Sequence, residues 1–477
     1  MAYTLYPIRN IARITIEADS PLSISSGEKS PLTDAPVLRD VHRLPFIPGT
    51  SLAGVIRHAL PSEELQQTLM GWQSPTGGEG SRLIISEAKI LDSRGRAVDG
   101  IAPIEEDPLL EAYSTLPIRQ HARIGHRGAT EIRGKFDEEV VLRGTRFCFD
   151  MELISSAGEA DSSDEALLRI IDTIDSDLFR IGGGSRKGFG KVRVVRALHR
   201  RLDLRQPEEL SLYLAKSSCL SAEWEGFAPY TPREIEERER ERESDRYLLT
   251  LRPVDFIFFG SGHEDNEGNN QYVTEQQIVW EGDRATIINA EQMILIPSSS
   301  VKGALSHRTA FHYNKQQGVA ADNLPEGAVI EDYIGEKNGA VALLFGTAGE
   351  ESGEVCSRGH VLFSDVLLKR PEAAEDHVFN HVRIDRFTGG AVSGALFSEK
   401  SVYAAEEEIT MEITIDKHAL ESEDRDRVHD ALSALESAMK DLCGGMLPLG
   451  GSVTKGNGRF YGSITKNGET IYEYDRA

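Results

Sequence analysis

Residues 47–57 read IPGTSLAGVIR, and the same pattern returns as IPSSSVKGALSHR at residues 296–308. An internal repeat constrains a fold more than any single predicted element, because each copy must be a structural unit that stacks on its neighbour. Three further landmarks recur in the same order. An apolar run ending in a small residue and an acid appears as RLIISEAKI around Glu87 and as HVLFSDVLL around Asp365, each predicting a strand. His121 opens HARIGHRGATEIRG and His381 opens HVRIDRFTGGAVSG. IGGGSRKGFGKV from Ile181 aligns without a gap with LGGSVTKGNGRF from Leu449, sharing the Lys-Gly-x-Gly of Lys187 and Lys455. Four matches in one order indicate a duplication.

Each copy predicts the same succession of elements. An alternating strand (IARITIEADSPLSI; YLLTLRPVDFIFF) precedes the repeated loop, which opens a helix such as SLAGVIRHALPSEELQQTLM, with Thr50 or Ser51 available as caps. Strands follow, then helices with apolar residues three and four apart (DEALLRIIDTIDSDL; RDRVHDALSALESAMKDL), then a glycine-rich turn and a last strand. Strand, helix, strand, strand, helix, strand is the ferredoxin-like order. The expected fold class is α+β: two tandem ferredoxin-like domains at 1–200 and 247–477, joined by a connector at 201–246. Within the connector, the Glu/Arg run from Arg233 to Arg246 predicts an exposed helix through pairs such as Glu234 with Arg238. Trp224, Phe227 and Tyr230 predict packing on a domain.

The formal charge of −24 argues against indiscriminate coating of nucleic acid, which depends on a basic surface. The charge is uneven, however. Arg119, Arg123, Arg127, Arg133 and Lys135 face a single acid, Glu131, and RIGGGSRKGFGKVRVVRALHRR from Arg180 contains no acid at all. A basic track on an acidic body suits a specific polyanion. The four cysteines are widely spaced, no apolar run approaches the roughly 18 residues of a membrane span, and the amino terminus lacks the layout of a signal peptide. A cytoplasmic protein with reduced thiols and no membrane partner is expected. No zinc, P-loop or nucleophile-elbow motif is present, and the histidines, His58, His307 and His312 among them, do not form a ligand pattern.

These motifs together resemble the RAMP superfamily, which supplies backbone subunits of type III CRISPR effector complexes. Copy two carries IPSSSVKGALSHR, LLFGTA, LFSDV, RIDRFTGGAVSGALFSEKSVY and GGSVTKGNGRF; copy one keeps the first and last marks and diverges in the third. The two tandem copies resemble the fused double subunits of type III-D-like complexes. The resemblance implies ferredoxin-like RAMP domains with thumb hairpin insertions. It also implies a guide RNA, a complementary target RNA and other effector subunits as partners.

The residue chemistry is compatible with that role. Small residues at a helix start let backbone amides approach a phosphate, which makes Ser51, Ser299 and Ser300 candidate RNA contacts, with charge from Arg57, Lys302 and Arg308. Arg186, Lys187 and Lys455 in the glycine-rich loops are further candidates. The third landmark resembles the family's thumb, which implies RNA contacts by Arg119, His121, Arg123, Arg127 and Arg133 in copy one and by Arg383 and Arg386 in copy two. In the family an aspartate in the loop before the first motif cuts target RNA; LTDAPVLRD places Asp34 at that match. Asp283 lies fourteen residues before Pro297, as Asp34 does before Pro48. Both are therefore candidate catalytic groups and candidate ligands for a divalent metal ion, Mg2+ or Mn2+. Two rival readings remain: a backbone subunit that binds guide without cutting, and a guide-processing endoribonuclease.

Overall fold

The computed structural model describes residues 5–28, 30–31, 33–101, 104–233, 243–348, 356–370, 376–405 and 407–474. Two sheets, each backed by helices, carry the two copies. In copy one, β1 (Ile8–Ala18) lies between β5 (Arg146–Ser155) and β6 (Val192–Asp203), and β2 (Leu83–Ile85) borders β5, all antiparallel. Copy two repeats this arrangement. There β7 (Ser244–Pro253) lies between β14 (Ile409–Asp416) and β15 (Phe460–Lys466), and β11 (Val361–Phe363) borders β14. The helices α1 (Gly49–Ala59) and α2 (Ala160–Ile174) back the first sheet, and α3 (Ser298–Gln316) and α4 (Arg425–Cys443) back the second. Two separate cores result. Leu52, Ile56, Leu167 and Ile171 pack beneath β1, while Val301, Leu305, Leu435 and Leu442 pack beneath β7.

Several local expectations are corrected. Pro48 and Pro297, without side-chain caps, take the N-cap positions, so Thr50, Ser51 and Ser298–Ser300 lie inside the first turns. The first helix of copy one ends at Ala59 and a second runs Glu63–Met70, because Pro61 between them cannot continue a helix. Each strand expected around the acid is two strands, with Glu87 and Asp365 at the breaks. The charged helix expected at 233–246 lies mostly outside the described residues, and its last residues, from Ser244, already belong to β7. The aromatic part of the connector packs on copy one. Tyr230 extends the first sheet beside Ala197, and Arg13 reaches from β1 to the carbonyls of Leu220 and Ala222 with its guanidinium over Phe227.

Two long hairpins project from the units, β3 (Ile118–Ile124) with β4 (Thr130–Glu139), and β12 (Asp376–Ile384) with β13 (Ala391–Tyr403). They are called arms here. A third hairpin, β9 (Gln277–Glu281) with β10 (Arg284–Ile288), follows the short strand β8 (Asn269–Tyr272) and docks on copy one. Its Ile278 is buried in the copy-one core, Trp280 donates to the Gly144 carbonyl at 2.7 Å, and the Arg146 guanidinium covers the Trp280 ring. Among the described residues no helix is long and apolar enough to cross a membrane.

Candidate nucleic-acid interface

The base of each arm is tied to the glycine-rich loop of its own copy by the same four residue types. In copy one, His121 Nε2 lies 2.8 Å from Glu138, and Lys187 Nζ lies 3.6 Å from the same carboxylate. The imidazole stacks on Phe136 with centroids 4.8 Å apart, and the Lys187 ammonium lies 4.2 Å from the centre of that ring. In copy two, His381 Nε2 lies 3.0 Å and Lys455 Nζ 3.5 Å from Glu399, and both His381 and Lys455 meet the Phe397 ring at about 5 Å. A serine hydroxyl completes each cluster: Ser23 donates to Glu138 and Ser452 to Glu399. Burial alone would raise the pKa of both glutamates. The bonds from histidine and serine and the lysine charge outweigh it, so both are held below the ordinary carboxylate value. The glutamates and phenylalanines were not among the sequence candidates. A signal for them existed in the repeated Phe-x-Glu of Phe136 to Glu138 and Phe397 to Glu399.

Asp34 is exposed and lies beside this cluster. Its amide donates to Asp137 Oδ1 at 2.8 Å, and the next residue, Ala35, bridges Glu138 in parallel register. Copy two has the same parallel contact, with Asn270 opposite Glu399 and Asn269 opposite Ser398. The register therefore sets Asn269, an amide, where copy one has Asp34. Asp283 is elsewhere: it sits in the two-residue turn of the β9–β10 hairpin, after Gly282, and packs against Gly95 of copy one. Equal spacing to the next proline did not place the two aspartates equivalently, because the intervening chain forms a hairpin in copy two and a wrapping loop in copy one.

Between the copies, the copy-one glycine loop meets the start of α3. Ser298 Oγ donates to the Lys187 carbonyl, and Gly188, with φ of 96°, leaves the space that any side chain would take from Ser298. Lys302 is half-buried one turn along; burial and the nearby charges of Lys187 and Arg186 hold its pKa below the ordinary lysine value. Burial and Arg358 likewise bring Arg186 down to about 9. These cations crowd one another, so the seam is electrostatically favourable for an anion. The sequence candidates Lys187, Lys302, Arg186, Ser299 and Ser300 thus come together here, from two copies.

Other candidates are placed differently. Arg119 is buried and bonds both Glu275 and Asp365, the latter at 3.0 Å, which corrects its assignment as an RNA contact. Burial alone would lower its pKa, but the two carboxylates raise it, while burial raises that of Glu275 against the pull of Arg119. Arg308 pairs with Asp441 and covers Phe311, and Arg57 donates to the Gly71 carbonyl at 3.1 Å, so both guanidiniums brace their helices. Along the arms Arg127, Arg133, Arg383 and Arg386 are exposed, while Arg123 pairs with Glu131 at 2.9 Å. Ser51 lies half-buried in the first turn of α1.

A family model described as the RAMP superfamily matches residues 15–193 and 280–461. No curated protein matches the chain.

Proposed function

The chain belongs to the RAMP superfamily, and from that membership and the repeated arm-base cluster we propose that it is a guide-RNA-binding backbone subunit of a type III CRISPR ribonucleoprotein, in which copy one cuts complementary target RNA. The strand order β6-β1-β5-β2, repeated as β15-β7-β14-β11, supports ferredoxin-like units, and the two arms take the place of the family's thumbs. Partners would be the guide, the target and other effector subunits in the cytoplasm. The seam cations would hold guide phosphates and leave the bases free to pair.

The observation that carries the cleavage reading is the position of Asp34, exposed at the base of an arm beside a lysine-bearing glycine loop. An arm that kinks the RNA can align a ribose 2'-oxygen with the adjacent phosphorus. The 2'-oxygen then bonds to phosphorus, its proton passes to Asp34, and the bond to the 5'-oxygen breaks, leaving a cyclic phosphate and a 5'-hydroxyl that takes a proton from water. Lys187 holds the backbone. Among the described residues no cluster of three or more metal-ligating side chains exists. Asp34 and Asp137 nevertheless suit Mg2+ or Mn2+, which accept one or two carboxylates with water and phosphate oxygens. Such an ion would neutralise charge at the scissile phosphate.

For copy two, Asn269 at the corresponding register favours binding without cleavage. Cleavage of end-labelled target RNA by the assembled complex tests both parts. Asp34→Ala is expected to lower one product by about 100-fold or more with target binding unchanged, and Asp283→Ala to leave the pattern intact. An unaltered pattern in Asp34→Ala would leave a guide-binding scaffold.

A further inference from the structure

The loop that carries Asp34 is strapped to the end of β4, Asp137-Glu138-Glu139. The Asp34 amide donates to Asp137 Oδ1 at 2.8 Å, and the Asp137 amide donates back to Asp34 Oδ2 at 3.4 Å. The Glu139 amide donates to the Ala35 carbonyl at 3.0 Å, while the Glu139 carboxylate accepts the Val37 amide at 2.8 Å and pairs with Arg39 at 2.7 Å. Glu138 is committed instead to His121 and Lys187. Alternate residues of a strand face opposite sides, so one strand end holds the glycine loop on one face and the Asp34 loop on the other.

Copy two builds its arm base without these two flanking carboxylates. Parallel pairing sets Asn269 opposite Ser398, so Ser398 stands where copy one has Asp137, and Lys400 stands where it has Glu139. Ser398 donates to Asn380 across the hairpin at 2.6 Å, and Lys400 pairs with Asp265 at 2.7 Å. Asn269 is buried and bonds Asp265 as well. An arm base therefore forms without an acid at the position of Asp137. Setting a second carboxylate beside an exposed aspartate works against local stability. What it supplies is geometry: the Asp34 amide and one carboxylate oxygen are fixed, while Oδ1 takes no hydrogen bond from the described residues.

We propose that Asp137 is a positioning residue for RNA cleavage: it fixes Asp34 to the arm, so that the carboxylate that takes the proton and the hairpin that deforms the RNA move as one body. The inference rests on the cleavage reading and names what holds its carboxylate in place. Attack by a 2'-oxygen is sensitive to placement, and a displacement of about 1 Å can cost about 100-fold in rate.

The test uses the assembled complex, end-labelled target RNA and single-turnover rates over a range of target concentrations. Asp137→Ala is expected to lower the maximal rate by about tenfold or more at an unchanged half-saturating concentration, and to open the amides of residues 33–37 to hydrogen exchange. Asp137→Asn, whose side-chain oxygen still accepts the Asp34 amide, should stay within about threefold of the parent rate and keep the protection. Loss of rate and of protection together in either variant supports the proposal. Full activity of Asp137→Ala overturns it. So does an Asp137→Asn that loses rate with residues 33–37 still protected, since the charge would then be what matters. Target binding weakened as much as cleavage would make Asp137 a part of the arm alone and also overturns it. A parent complex that does not cut, or that cuts equally after Asp34→Ala, overturns the cleavage reading itself.

Discussion

Glu87 and Asp365 occupy the same place in the repeat, at the break between two short strands behind the first helix. Glu87 has a side chain 54% exposed and is paired with Lys89, two residues along in the strand that follows the break. Asp365 is 5% exposed, accepts the Ser298 amide at the start of α3, and is bonded by Arg119 from the other copy. The difference is the neighbour. Copy one sends its arm and glycine loop onto the helix start of copy two, whereas among the described residues the helix start of copy one has no such partner. One local motif therefore makes an open helix terminus in one copy and a sealed junction in the other. The contacts that separate them are made by residues far apart in sequence.

Replacing Arg119 attacks this difference directly and should have the largest effect. Arg119→Met leaves Glu275 and Asp365 buried without their cation, and the loss of about 3–5 kcal/mol should appear as a lowered midpoint in denaturant unfolding. The corresponding removal of Lys89 beside the exposed Glu87 should change the midpoint little. Equal effects of the two substitutions would dissolve the distinction between the copies.

The docked hairpin gives a slightly smaller test. Ile278 belongs to copy two by sequence and to the copy-one core by packing. Ile278→Ala should destabilise copy one by about 2–4 kcal/mol, seen as loss of hydrogen-exchange protection in β1 and β5 before β7. Earlier loss in β7 would show that the hairpin stabilises its own copy instead.

The arm-base clusters should behave alike in the two copies, which sharpens the contrast. Glu138→Gln and Glu399→Gln should each cost about 1.5 kcal/mol, the scale of a charge-assisted hydrogen bond. Because both glutamates have folded-state pKa values below the ordinary value near about 4.3, their contribution is complete above that pH and is lost as pH falls through the lower folded values. Acid titration of arm protection, followed by hydrogen exchange, should show this loss below about pH 4 in the parent chain and none at the substituted arm. Persistence of the acid transition in both variants would assign it to other carboxylates.

Much of the architecture was legible in the chain. The two units, the order of their strands and the long helices α2 and α4 followed from periodicity and from the repeat, since these features depend on residues close in sequence, whereas the arm hairpins were expected only from the family resemblance of the third landmark. Basic residues of the glycine loops were also legible, because Lys-Gly-x-Gly recurs without a gap. The status of the arginines was not. Arg119 and Arg123 stand four residues apart on one strand, yet the first is buried between two carboxylates and the second is half-exposed beside Glu131. Asp283 was misplaced for a related reason: a count of residues to the next proline measures chain length, and a hairpin can absorb that length while pointing its turn away.

By itself the sequence determined that there are two α+β units, that each presents a loop at a helix start, and that each carries a basic glycine-rich turn. These are consequences of local pattern, where backbone conformation and side-chain alternation are set by near neighbours. Tertiary structure alone decided that Asn269 rather than Asp283 corresponds to Asp34, that Glu138 and Glu399 hold the arm bases, and that the candidate phosphate track is assembled from both copies. Each of these depends on strand register or on contact between separate units, and on which charges are removed from water together. Coulomb attraction and desolvation act across space, so the partner that decides a residue's role can stand more than a hundred positions away, as Asp365 does from Arg119.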